Sequence, residues 1–180
     1  MPATVGISTT SSPYQLALGN AFETLDPHVQ RAHLPPLVAT GTFDVEHGST
    51  WFAPVLARLL KLPAAGRAQS VRLEVRAEGD QLLWIRHIGA VRIVTRQHAA
   101  GTHIIERSGI AAIVFALTVD NSALCYTQVS FTVAKVRLPL AVAPHVRARV
   151  SGTRDGWHVE VHVEWRARLV CRYTGRMAIQ

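Results

Sequence analysis

Lysine is almost missing from this chain: Lys61 and Lys135 are the only two among 19 basic residues, and the remainder are arginines scattered along its length. A phosphate-tracking surface shows a basic cluster or stripe, whereas here arginines often alternate with acids, as in Arg72, Glu74, Arg76, Glu78. The nearest approaches to a cluster are Arg147 with Arg149 and the trio Arg168, Arg172, Arg176. The net charge of +7 therefore does not argue for nucleic acid, and none is expected as a partner. Cysteine is equally scarce. Cys125 and Cys171 lie in apolar, strand-like surroundings, where a free thiol acts as a small hydrophobe and no disulfide is forced. No apolar run approaches the roughly 20 residues that span a bilayer as a helix. The opening MPATVGISTTSSPYQ lacks the basic and apolar segments of a secretory signal, so a cytoplasmic location without a transmembrane segment is the expectation.

Motifs that name a chemistry are also missing. There is no G-x-G-x-x-G phosphate loop, no C-x-x-C or H-E-x-x-H zinc spacing and no G-x-S-x-G nucleophile elbow. A cofactor or metal is accordingly not expected.

What is present is 180 residues at 48% hydrophobic and 17% charged, enough for one domain with a substantial core. The first dozen residues are rich in Ser and Thr and read as a flexible terminus ahead of a single domain over 13–180. Ser12-Pro13-Tyr14-Gln15 is an N-cap with a proline at the first helical position and a capping-box glutamine, so helical structure is expected over 13–33, stopped by Pro35-Pro36. A strand follows near 37–46, then a helix over 51–62 with Thr50 as a candidate cap and Pro63 as its stop. From Ser70 onward the apolar period changes to two. Runs near 70–78, 81–88, 91–98, 102–108, 110–119, 123–137, 145–153, 157–166 and 168–178 are separated by turn signals such as Gly79-Asp80, Gly89-Ala90, Asp120-Asn121 and Asp155-Gly156. Tight turns between short strands make an antiparallel meander, and about nine to ten strands should curve into a barrel or half-barrel. The fold class is thus mainly β with N-terminal helices. Strict alternation places Arg72, Arg76, Glu160 and Glu164 towards solvent, and the doubly apolar strands 81–88 and 110–119 suggest that helices cover part of the outer surface.

Trp84-Ile85-Arg86, Gly89, Thr95-Arg96-Gln97 and Glu106-Arg107-Ser108-Gly109 form an ordered series that continues through Leu124, Tyr126, Leu138-Pro139, Pro144, Gly156-Trp157 and Tyr173-Thr174-Gly175. In order and spacing it resembles the bacterial family called domain of unknown function 4166, from about Tyr14 to the C-terminus. This chain departs from the family pattern at His87 and Ile88, where a second arginine and a phenylalanine tend to follow Trp-x-Arg. The resemblance implies a stand-alone version of a domain that in relatives can follow a dinucleotide-binding module. It brings no agreed activity.

Arg86, Arg96 and Glu106 fall in three successive strands, each two residues after Trp84, Val94 or Ile104, and are expected on one apolar face. If that face is interior, the charges must pair, and the arginines offer forks for a polar ligand group. The competing reading is a cross-strand ion pair on the outer face. His98 and His103 flank a hairpin close to Glu106, a weak metal or acid/base arrangement, and His158-x-Glu160-x-His162-x-Glu164 reads as a solvated face. The first functional reading is a barrel that binds a hydrophobic small molecule, with Trp84, Arg86, Arg96, Phe115 and Tyr173 as ligand-binding residues. The second is a cofactor-free isomerase or cyclase in which Glu106, Tyr126 and His103 move a proton. A homodimer or a neighbouring oxidoreductase is the protein partner considered.

Overall fold

The computed structural model describes residues 11–180, so most of the expected flexible terminus lies outside the described residues. Ser12 caps α1 (Pro13–Leu18) with the capping box formed in full by Gln15. A 3-10 turn, Gly19–Thr24, links it to α2 (Pro27–Ala32), capped by Asp26. β1 (Leu37–His47) leads to α3 (Ala53–Leu59), which is shorter than the expected 51–62; Phe52 occupies its N-cap position and no side chain caps it. The rest is strand: β2 (Gly66–Glu78), β3 (Gln81–Ile88), β4 (Val91–Ala100), β5 (His103–Ser108), β6 (Ala111–Asp120), β7 (Ala123–Val133), β8 (Val136–Leu138), β9 (His145–Thr153), β10 (Gly156–Trp165) and β11 (Arg168–Ile179).

Pairing is antiparallel between sequence neighbours, and β1 pairs with β11 while β6 pairs with β7. Ten strands therefore close a barrel, in the order β1 to β7, then β9, β10 and β11. The run expected as one strand over 123–137 is broken at Ala134-Lys135, which turn the chain with positive φ, so β8 folds back on the end of β7 and stands outside the ring. β9 takes over the pairing with β7 further up, and Gln128 seals that junction by accepting from Val146 N–H and donating to the Pro144 carbonyl.

Alternation then divides each strand into two faces. Leu73, Val75, Leu82, Ile104, Leu124, Val150, Trp157, Val161, Val163 and Met177 point inward and are buried. Arg72 and Arg76 are exposed on the outer face, where both pair with Glu74, and Glu160 and Glu164 lie partly exposed on the same side of the wall.

The N-terminal helices do not coat the outer wall as expected. They plug one end of the barrel. Tyr14, Phe22, Leu25 and Val29 are buried in the main core, and Asp26 N–H bonds the Ser122 carbonyl in the β6–β7 turn. Gly152 makes that seat possible: a Cβ there would overlap the Asp26 carboxylate, so a larger residue would push α2 off the rim. The plugged end carries the turns after β2, β4, β6 and β9; the opposite end, which the N-terminal helices leave unplugged, carries the turns after β3, β5, β7 and β10, and α3 packs Ala57, Phe52, Leu56 and Leu60 against the core.

Candidate functional site

Hairpin geometry decides which side chains enter the barrel. The Gly89-Ala90 turn sets Ile88 opposite Val91, so Arg86 faces Ile93, and Trp84 faces Thr95. The next turn sets Gln97 opposite Glu106. The inward set of this wall is therefore Trp84, Arg86, Thr95, Gln97 and Glu106. Across the lumen from the adjoining strands come Phe115 and Tyr126, whose rings meet edge to face at 5.8 Å, and Tyr173, stacked on Phe43 at 5.7 Å.

Two of the expected residues are elsewhere. Arg96 has the opposite parity to Thr95 and Gln97; it points out of the barrel and pairs with Glu78 at 3.0 Å. His103 also points outward, its Nδ1 3.4 Å from the Thr102 hydroxyl, while its neighbour Ile104 turns inward. The single apolar face expected for Arg86, Arg96 and Glu106 thus splits. Among the described residues, no group of three or more His, Cys, Asp or Glu is placed to hold a metal ion. Cys125 and Cys171 are free thiols, and burial pushes Cys171 up to about 12.

The inward polar residues form one connected chain. Arg86 Nη1 donates to Thr95 Oγ1 at 2.9 Å and to Glu106 Oε1 at 3.2 Å. Gln97 Nε2 donates to the other carboxylate oxygen, Oε2, at 2.7 Å, which turns the amide oxygen towards the plug. Tyr14, reaching down from α1, donates its hydroxyl to that oxygen at 2.7 Å. Tyr126 Oη stands 3.2 Å from Tyr14 Oη and 2.7 Å from His33 Nε2. His33 Nδ1 lies 2.7 Å from the Val29 carbonyl, which can only accept, so Nδ1 carries the hydrogen. Tyr14, His33, Thr95 and Gln97 escaped sequence reading. The turn lengths alone would have found Thr95 and Gln97; nothing local marks Tyr14 or His33 as other than helix core.

Electrostatics follow from enclosure. Burial lowers the tendency of Arg86 to hold its proton, but the Glu106 carboxylate opposes this and the guanidinium is held above its ordinary value. Burial raises the phenols of Tyr14, Tyr126 and Tyr173 above theirs, so all three are neutral donors or acceptors at neutral pH. Arg86 also sits over the Trp84 ring at 4.8 Å, a cation–π contact. The Arg86 and Glu106 side chains, both facing inward, keep 22% and 20% of their surface accessible.

His33 is fully enclosed, and burial depresses it to about 4 despite the Val29 hydrogen bond, which acts the other way. A histidine with a folded value below its unfolded one of about 6.5 takes up protons on unfolding, so stability falls as pH drops from about 6.5 to about 4 and levels off below. The expected loss from this group is on the order of 3 kcal/mol. Urea denaturation at stepped pH measures it, and His33→Gln should flatten that window. Equal slopes in the two proteins would assign the loss to other groups, such as Glu74 and Glu160. Those two carboxylates are depressed by hydrogen bonds from Arg76 and from His162 respectively, so their contributions disappear at lower pH.

A closed antiparallel barrel, plugged by helices at one end and carrying a hydrogen-bonded ion pair in its lumen, defines the class: a small β-barrel protein with a polar network inside an apolar core. The chain belongs to the family described as domain of unknown function (DUF4166), whose profile matches residues 25–177. Among solved structures it is similar to a secretory abundant heat soluble (SAHS) protein from Ramazzottius varieornatus, at 12% identity and a TM-score of 0.42, over 79% of this chain and 92% of that one. Among curated proteins, none matches the sequence.

Proposed function

We propose that the barrel binds a lipophilic small molecule in its lumen, with the molecule's polar end on Arg86 and its apolar body against Trp84, Phe115, Tyr173 and the aliphatic wall. One observation carries the reading: an ion pair faces inward in a largely apolar barrel and keeps about one-fifth of its side-chain surface accessible. Only Nη1 of Arg86 is used by Thr95 and Glu106, which leaves the rest of the guanidinium fork for a ligand oxygen. Trp84 supports the same reading, since its indole N–H is sealed from solvent without an acceptor among the described residues. Barrels that hold ligands use a few polar groups in an otherwise apolar wall.

The connected polar chain ending on Glu106 favours a second reading, a cofactor-free isomerase or cyclase. Glu106 would take a proton from an apolar substrate held beside it and return it at another atom, leaving the oxidation state unchanged. His103 has no part in this version because it points outward, and Tyr126 would act by holding the chain in register.

Glu106→Gln separates the two. It retains shape and the amide can still meet Arg86 and Gln97, so a binder should change its affinity only a few-fold, whereas a proton-transferring enzyme should lose about 10²–10⁴ in turnover with binding retained. The experiment is solvent extraction and native mass spectrometry of the purified protein to identify the bound compound, followed by titration of both forms with it. Absence of lipophilic material together with failure to take up any apolar probe would sink the proposal.

A further inference from the structure

The cations that look scattered in sequence are gathered by the fold. Arg58 and Lys61 flank the end of α3, Lys135 and Arg137 lie on the β7–β8 hairpin, and Arg166 and Arg168 lie on the β10–β11 turn, all at the unplugged end of the barrel. All six are exposed, and none takes part in an ion pair among the described residues. At the opposite, plugged end the turns carry Asp80 and Asp155 with one cation, Arg154, and Asp120 at the end of β6 is paired with Arg149. The molecule is therefore electrically lopsided along the barrel axis.

The same basic end also displays most of the exposed large apolar side chains, with Leu16 and Ile179 the exceptions at the plugged end. Trp51, Val55 and Leu59 recur every four residues along α3 and its approach as one outward stripe, with Trp51 86% and Leu59 74% exposed. Ile110 stands out from the β5–β6 turn, and Leu140 and Val142 from the loop after β8. A monomer seldom keeps such residues together on one rim without a partner. Beside them is an open groove of about 650 Å³ with Trp51, Phe52 and Trp165 on its aromatic side and Arg166 and Arg168 on its cationic side. Among the described residues no helix is long and apolar enough to cross a membrane, so contact by these elements would be with a surface.

We propose that the unplugged end of the barrel docks on an anionic lipid bilayer. Aliphatic and tryptophan side chains surrounded by unpaired cations match the boundary between acyl chains and acidic headgroups. A second copy of this chain fits less well, because a self-complementary contact would bring the like-charged rims together. A single-stranded nucleic acid would need several aromatic platforms along a basic track, and the rim is mostly aliphatic. Docking in this pose sets the end of the barrel nearer the Arg86–Glu106 pair against the lipid, but the inference stands on the rim alone.

The test is co-sedimentation of the full chain with vesicles of phosphatidylcholine, with or without phosphatidylserine. Binding to the anionic vesicles should be at least about 10-fold tighter and should weaken as salt shortens the Debye length. Trp51→Ser with Leu59→Ser, both at exposed positions, should cost about 10-fold. Arg58→Glu with Lys135→Glu should abolish retention, while Arg154→Glu with Arg176→Glu, the same charge change away from this rim, should preserve it. Circular dichroism checks the fold of each variant, and the rim variants should keep their affinity for a soluble lumen probe, so failure of docking and failure of ligand binding are told apart. Four results would overturn the proposal: no vesicle binding, equal binding to neutral vesicles, equal loss from the two charge pairs, or tight binding of single-stranded RNA at physiological salt in place of vesicles.

Discussion

Tyr14→Ala should lower the unfolding free energy by about 3–5 kcal/mol, the range for deleting a large buried aromatic ring. The ring is fully buried where the plug meets the barrel, 4.4 Å from the His33 ring and 6.4 Å from Trp84 between centroids. Truncation opens a cavity at that seam and strips the Gln97 amide oxygen of its only tyrosine donor. Two terms then add, lost apolar packing and an orphaned buried acceptor. Tyr14→Phe removes only the second and should cost about 1–2 kcal/mol. Urea titration followed by far-ultraviolet circular dichroism reads both. A loss below about 1 kcal/mol for the alanine variant would mean that α1 leaves the barrel readily, and the plug would have to be redrawn as a mobile flap.

Arg86→Met should weaken binding of an amphipathic carboxylate, such as a dansylated long-chain acid, by about 10- to 100-fold, the effect of one or two charge-assisted hydrogen bonds. The methyl ester of the same probe should lose far less, because its polar end makes weaker bonds to the guanidinium. Methionine retains the apolar stem, so the contrast between acid and ester isolates the charge. Stability should fall as well. Removing one partner of a buried pair costs about 3–5 kcal/mol, but with Arg86 and Glu106 each about one-fifth open to solvent, the expectation here is nearer 1–2 kcal/mol. Equal losses for acid and ester would show that Arg86 shapes the lumen without touching the ligand's polar end.

The strands were legible because their period of two is nearly unbroken. Trp157, Val159, Val161, Val163 and Trp165 alternate with His158, Glu160, His162 and Glu164, and no other local structure satisfies that spacing. The split at Ala134-Lys135 was not, since residues other than glycine or asparagine give little warning of positive φ. Much of the lumen was within reach of the same reasoning. Trp84, Arg86, Glu106 and Tyr126 share one face because two-residue turns transmit parity from strand to strand; Arg96 follows the apolar Val94 by two residues, which suggests the interior, but the Gly89-Ala90 turn gives both the outward parity.

By itself the amino-acid order determined the class of fold, most of the strand boundaries and the side of the wall on which most charged residues stand, since these depend on short-range periodicity, caps and turns. Closure of the ring by β7 with β9 and β1 with β11 arose only in three dimensions. So did the path of the N-terminal helices into one end, which joins Tyr14 to Gln97 across 83 residues and His33 to Tyr126 across 93. Charge shows the difference most plainly. Arginines spaced far apart in the chain read as diffuse, yet an antiparallel barrel brings every second turn to the same end, and cations separated by dozens of residues become neighbours on one rim.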